Sequence, residues 1–151
     1  MIKLEPLLCF TNGVTVQPIG KTPFGERTTY VVGEGTFAGA RLSGRVLAGG
    51  GDWFVRGDGD LAKLDVRKTL ETSDGALIHV TYTGLYKFDS KVSRKLAAGG
   101  DAQFGDTLFM AQVQFETGDE RYAWLNETLA VAEARETSRG VEYQLYAMSH
   151  A

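Results

Sequence analysis

The stretch Leu64–Gly84, LDVRKTLETSDGALIHVTYTG, decides how the chain is read. It splits into two strand-like runs joined at Ser73, Asp74 and Gly75. A three-residue connection ending in Gly is a favoured hairpin loop, a type I turn followed by a Gly at positive φ. With Thr72 opposite Ala76 the register follows by counting: Glu71 faces Leu77, Thr69 faces His79, Arg67 faces Thr81 and Asp65 faces Thr83. Side chains alternate along a strand, so these residues share one acidic, basic and hydroxylic face. The other face carries Val66, Lys68 and Leu70 opposite Tyr82, Val80 and Ile78, and is mostly apolar. Two readings stand. An ordinary half-buried hairpin turns its apolar face to the core and its polar face to water. The sharper reading puts the polar face inside a ligand cavity and covers the apolar face with another element or subunit.

Outward from this hairpin the same alternation recurs. Thr107–Thr117 and Tyr122–Val131 are expected to pair around Gly118, Asp119 and Glu120. One face then carries Glu116, Gln114, Gln112 and Met110 beside Tyr122, Trp124, Asn126 and Thr128, and the other carries Phe109, Val113 and Phe115 beside Leu125 and Leu129. Lys3–Thr11 is expected to be a first strand ending in an Asn12–Gly13 turn. Arg27–Phe37, Arg41–Leu47, Asp52–Arg56 and Val141–Met148 read as further strands. Ser90 is placed to cap a short helix over Lys91–Ala98, with Gly99 as its stop. Gly33, Gly35 and Gly39 miss the dinucleotide spacing by one residue and read as a bulge or bend; Gly49, Gly50 and Gly51 read as a tight turn.

Roughly eight to ten short strands with one short helix point to an all-β fold, a single antiparallel barrel over residues 1–151. Closing the sheet removes its exposed edges, and such a barrel has room for a small ligand. A chain of 151 residues is long enough for one domain with its own core. Its net charge of −3, with no basic stripe, argues against nucleic acid. Cys9 is the only cysteine and the histidines are His79 and His150, which excludes an internal disulfide and leaves few soft metal ligands, so no metal site is expected. The opening MIKLEPLLCF lacks the long apolar core of a signal peptide and no run is long enough to span a bilayer, so the cytoplasm is expected and a membrane is not.

Four motifs carry a family resemblance: GKTPFGER from Gly20, GRVLAGGGDWFVRGDG from Gly44, LDVRKTLETSDGALIHVTYTG from Leu64 and FETGDERYAWLN from Phe115. Together they span most of the chain. The sequence resembles the bacterial and fungal domain of unknown function 3237, also called uncharacterised protein family 0311. That resemblance implies a lipocalin-like, calycin-type barrel in a small cytoplasmic protein, and implies no reaction for the family as a whole. Relatives typically read like YFRT and a proline before the FET motif, where this chain has LFMAQV at Leu108–Val113. Met110 stands where their arginine does, so the pocket is expected to be less cationic.

If the polar faces point inward, a candidate site assembles. Glu71 or His79 would act as base and Arg67 would stabilise an enolate, which are the expected catalytic residues. Arg27, Trp53, Arg56, Asp65, Thr69, Glu116, Tyr122, Trp124 and Asn126 would contact the ligand through charge, hydrogen bonds and flat aromatic surface. Arg67 with Asp65 or Glu71 is equally read as a plain surface ion pair, and Trp53 and Trp124 as core. Three functions follow: a cofactor-independent isomerase, lyase or cyclase acting on a small aromatic or carboxylated compound; a carrier or sensor with the same pocket; or a structural module with a Val66, Leu70, Ile78, Val80, Phe109, Phe115 and Leu125 core and no cavity. No cofactor is called for. The inward-polar reading leaves apolar faces to cover, so it also expects a homo-oligomer.

Overall fold

Residues of alternating polarity build nine strands in the computed structural model, which describes Met1–Ala151 throughout. They are β1 (Ile2–Thr22), β2 (Gly25–Ala38), β3 (Ser43–Val46), β4 (Gly51–Arg56), β5 (Leu61–Thr72), β6 (Leu77–Lys87), β7 (Phe109–Glu116), β8 (Leu129–Thr137) and β9 (Gly140–His150). A short helix α1 (Ser90–Ala97) follows β6, and a 3-10 helix (Glu120–Glu127) separates β7 from β8. All pairings are antiparallel, and each strand except β3 and β4 pairs with the strands before and after it in sequence. The ring closes where β1 pairs with both β2 and β9. β3 and β4 share one place in it: β2 pairs with β3 through Gly35–Ala38 and with β4 through Glu26–Val31, and β5 bridges both. This is an antiparallel β-barrel of the up-and-down kind, without a free edge. No helix is long and apolar enough to cross a membrane.

The β5–β6 hairpin has the register that counting predicts, with Thr69 opposite His79 and Arg67 opposite Thr81, and Gly75 at φ +91° in its turn. Its apolar face points inward. Leu70, Ile78 and Val80 are fully buried, and Ala62, Leu64, Val66 and Tyr82 nearly so. Burying each large aliphatic side chain contributes about 1.5–3 kcal/mol, whereas Arg67, Glu71 and His79 inside would need partners for every charge. The same rule orients β7, whose Phe109, Ala111, Val113 and Phe115 are buried while Met110, Gln112, Gln114 and Glu116 are exposed. The inward-polar expectation is thereby overturned for both hairpins.

Three local expectations are also corrected. Asn12–Gly13 is not a turn: β1 runs through it with a register shift between Asn12 and Val14, so the pair forms a bulge. Gly35 faces that bulge, and a Cβ there would lie 1.8 Å from the Thr11 carbonyl oxygen, so only glycine allows the two strands this close. Asp89, not Ser90, caps α1, accepting from the backbone N–H groups of Lys91 and Val92. Tyr122–Asn126 is not a strand. Asp119 accepts from Arg121 N–H and starts the 3-10 helix, and β7 pairs instead with Leu129–Glu133 of β8.

That 3-10 helix closes one end of the barrel. Leu125 is fully buried in the core, and the Tyr122 hydroxyl donates to Asp74 in the β5–β6 turn at 2.9 Å. The opposite end, where β6 stops, β7 starts and β8 turns into β9, stays hollow.

Candidate functional site

The hollow end holds a cavity of about 360 Å³. Its walls are mostly hydrophobic, from Val14 and Val16 of β1 to Val141 and Tyr143 of β9. Rings follow one another around it. Tyr82 and Tyr143 have centroids 4.9 Å apart, Tyr143 and Phe109 5.5 Å, Phe109 and Tyr86 4.9 Å, and Tyr86 and Phe88 4.9 Å. Edge and tilted contacts of this kind make a rigid aromatic lining.

Into this lining β5 sends Lys68, which is 2% exposed. Its Nζ donates to Asn12 Oδ1 at 2.7 Å, and the amide of Asn12 is turned inward by the bulge. The same Nζ lies 4.0 Å from the ring centre of Phe10, 5.2 Å from that of Tyr82 and 5.4 Å from that of Tyr143. It makes no ion pair. Desolvation disfavours the ammonium and pulls the Lys68 pKa down to about 7, although the nearby Asp52 partly offsets this. Asp52 of β4 faces Val66 in the ladder, which makes it a diagonal neighbour of Lys68 on the inner face. Burial pushes its carboxyl up to about 6, against the pull of the Asp65 backbone N–H that donates to Oδ1 at 3.0 Å. Tyr82 and Tyr143 are raised by burial and stay protonated phenols. At the rim, the Tyr86 hydroxyl donates to Glu136, and burial together with that carboxylate raises its pKa. The interior therefore offers a base that titrates near neutrality, a carboxyl that holds its proton unusually late, and several phenol donors, all in a chamber with mostly hydrophobic walls.

The family profile of proteins of unknown function DUF3237 matches residues 2–148. The chain belongs to this family. Among curated DUF3237-type relatives, it is 30% identical over 119 residues to a UPF0311 protein of Rhodopseudomonas palustris, covering 79% of this chain and 78% of that one. It is 31% identical over 115 residues to a UPF0311 protein of Bradyrhizobium diazoefficiens, covering 76% and 75%. Among solved structures, a β-barrel-like protein of Acinetobacter baumannii matches with a TM-score of 0.84 at 36% identity, covering 99% of this chain and 97% of that one. An enzyme of Penicillium herquei shares the fold with a TM-score of 0.73 at 20% identity, over 98% and 95% of the two chains.

In this DUF3237 barrel the residues expected from sequence do not line the cavity. Arg67 donates to Asp65 at 2.8 Å and lies 5.6 Å from the Trp53 ring centre, all on the outer surface. Arg27 joins that surface group by donating to the Trp53 carbonyl at 2.7 Å. Glu71 accepts from Arg45 at 2.6 Å on the outside, and His79 is exposed beside Thr69 and Glu116. Tyr122, Trp124 and Asn126 belong to the closed end: Arg41 stacks 3.6 Å from the Trp124 ring centre, and Asn126 exchanges hydrogen bonds with the Thr117 backbone. Arg56 comes nearest to the cavity, 4.1 Å from the ring centre of Phe88 at its rim. Met110 is 56% exposed on the outer face of β7, so the residue at that position does not set the charge of the cavity, contrary to the expectation of a less cationic pocket.

The polar residues that do line the cavity carried a sequence signal. Lys68 is the one charged residue on the apolar face of the hairpin, between Val66 and Leu70. A lone lysine on a buried stripe is costly unless it is used. Asp52 had a weaker signal, because it opens the short strand Asp52–Arg56, whose inner face the alternation does not mark.

Proposed function

We propose that the barrel binds a small aromatic compound with a phenolic or carboxylate group and acts on it by cofactor-independent acid–base catalysis, as an isomerase, lyase or cyclase. One observation carries this reading: Lys68 Nζ is enclosed in an apolar, aromatic chamber with a neutral amide as its only hydrogen-bond acceptor. A structural lysine would be paired with a carboxylate or left at the surface. Here the amine takes a proton from a bound phenol or activated C–H, and the Asp52 carboxyl returns one to the product. Tyr82 and Tyr143 donate to developing negative charge on oxygen. The roles first assigned to Glu71, His79 and Arg67 pass to residues that face the cavity.

The test is a binding screen of phenolic and carboxylated aromatics, followed by NMR of each binder incubated with the protein. Turnover that falls about a hundredfold or more in Lys68→Met, with binding kept, is the expected result. Binders that are never transformed, by wild type or variant, would instead make the protein a carrier. A homo-oligomer belongs to the same proposal on a new footing, since the hairpin faces that first called for one are already buried. Leu4, Leu85, Leu108 and Met110 line a shallow groove on the outer surface that a second copy would cover. Sedimentation as a monomer at micromolar concentration removes that part.

A further inference from the structure

We propose that Lys68 forms a covalent imine with an aromatic aldehyde or ketone bound in the cavity. The inference rests on the reading of the cavity as a ligand site and adds a substrate class to it, a carbonyl compound whose carbon reaches Nζ. Four features of the chamber favour this chemistry over simple ion pairing. Lys68 Nζ has no carboxylate bonded to it that would hold it as an ammonium, and its one acceptor, Asn12 Oδ1, is neutral. Phe10, Tyr82 and Tyr143 surround the nitrogen with ring faces that favour a cation, which suits a protonated imine as well as an ammonium. The walls are largely hydrophobic, so an imine once formed is sheltered from hydrolysis. Asp52 on the neighbouring strand supplies the proton that dehydration needs.

The step balances without a redox partner. The lone pair of the neutral amine adds to the carbonyl carbon, and the C=O π pair moves to oxygen, which is protonated by the Asp52 carboxyl. After a proton leaves nitrogen for the Asp52 carboxylate, the hydroxyl departs as water with a second proton, and the nitrogen lone pair forms the C=N bond. One amine, one carbonyl and one proton give one iminium and one water. Burial supports the first step, since it leaves a large share of Lys68 neutral at neutral pH. A lysine in water, with a pKa near 10.4, is neutral to about one part in 2,500 at pH 7.

The test treats wild-type protein with 4-hydroxybenzaldehyde and cyanoborohydride at neutral pH, then measures intact mass and maps the labelled peptides. The non-carbonyl counterpart 4-hydroxybenzyl alcohol is titrated in parallel by NMR to report cavity binding. Expected is a single dominant adduct at Lys68, about tenfold or more above any other lysine, and lost in Lys68→Met. If Lys68→Met does not fold, the wild-type peptide map decides alone. Binding of the alcohol with the label spread over surface lysines, or absent, overturns the imine and leaves acid–base catalysis standing. Failure to bind the alcohol together with failure to label Lys68 overturns both.

Discussion

Lys68 Nζ and Asn12 Oδ1 lie 2.7 Å apart across the inside of the barrel, joining β5 to β1 at a bulge 56 residues away in sequence. Each explains the other. The bulge turns a polar amide into the core, and the lysine gives that amide its partner. Asn12→Leu leaves the buried ammonium with no acceptor and should destabilise the fold by about 1–3 kcal/mol at pH 6, and by less at pH 9 where the amine is neutral. Urea unfolding at the two pH values measures the difference.

The pH dependence of stability should show a minimum. Lys68 has a folded pKa lowered to about 7 from 10.5, so between those values the unfolded chain binds more protons and stability rises with pH. Asp52 has a folded pKa raised to about 6 from 3.8, so in that window the folded chain binds more protons and stability falls as pH rises. The two slopes meet between about pH 6 and 7. Lys68→Met should remove the alkaline rise, while leaving Asn12 Oδ1 without its donor. Denaturant midpoints from pH 4 to 10 would expose a missing minimum or an unaffected variant.

Outer-face residues should be dispensable for the cavity. Arg67→Ala, Glu71→Gln and His79→Ala each remove only surface contacts. Each should change stability by less than about 1 kcal/mol and leave ligand uptake as in wild type. A large loss of uptake in any of them would contradict the outward orientation.

The crossing of β1 and β2 should tolerate no side chain at Gly35. A Cβ there would meet the Thr11 carbonyl oxygen at 1.8 Å, so Gly35→Ala must push the strands apart at the bulge that carries Asn12. A loss of at least about 2 kcal/mol is expected, with NMR shifts spreading to Lys68. Gly59→Ala, in an open turn, is the control and should be nearly silent.

What the sequence by itself determined was the partnership of side chains. Period-two alternation and the Ser73–Gly75 turn dictate that Arg67 lies opposite Thr81 and shares a face with Glu71 and His79, and the barrel shows that register. Alternation is symmetric between the two faces of a strand, however, and does not say which becomes the inside of a closed ring. Only the tertiary structure decided that, through the apolar area of Val66, Leu70, Ile78 and Val80 against the cost of enclosing three polar or charged neighbours. Tyr122–Asn126 was undecidable for a related reason. Its alternation suits a strand, and only the Asp119 cap and the Tyr122–Asp74 contact, from another part of the chain, make it a 3-10 helix. The candidate site lay between these limits. Lys68 was visible as the one charge on an apolar stripe, but its meaning needed Asn12 and Asp52, which closure of the barrel brings in from other strands.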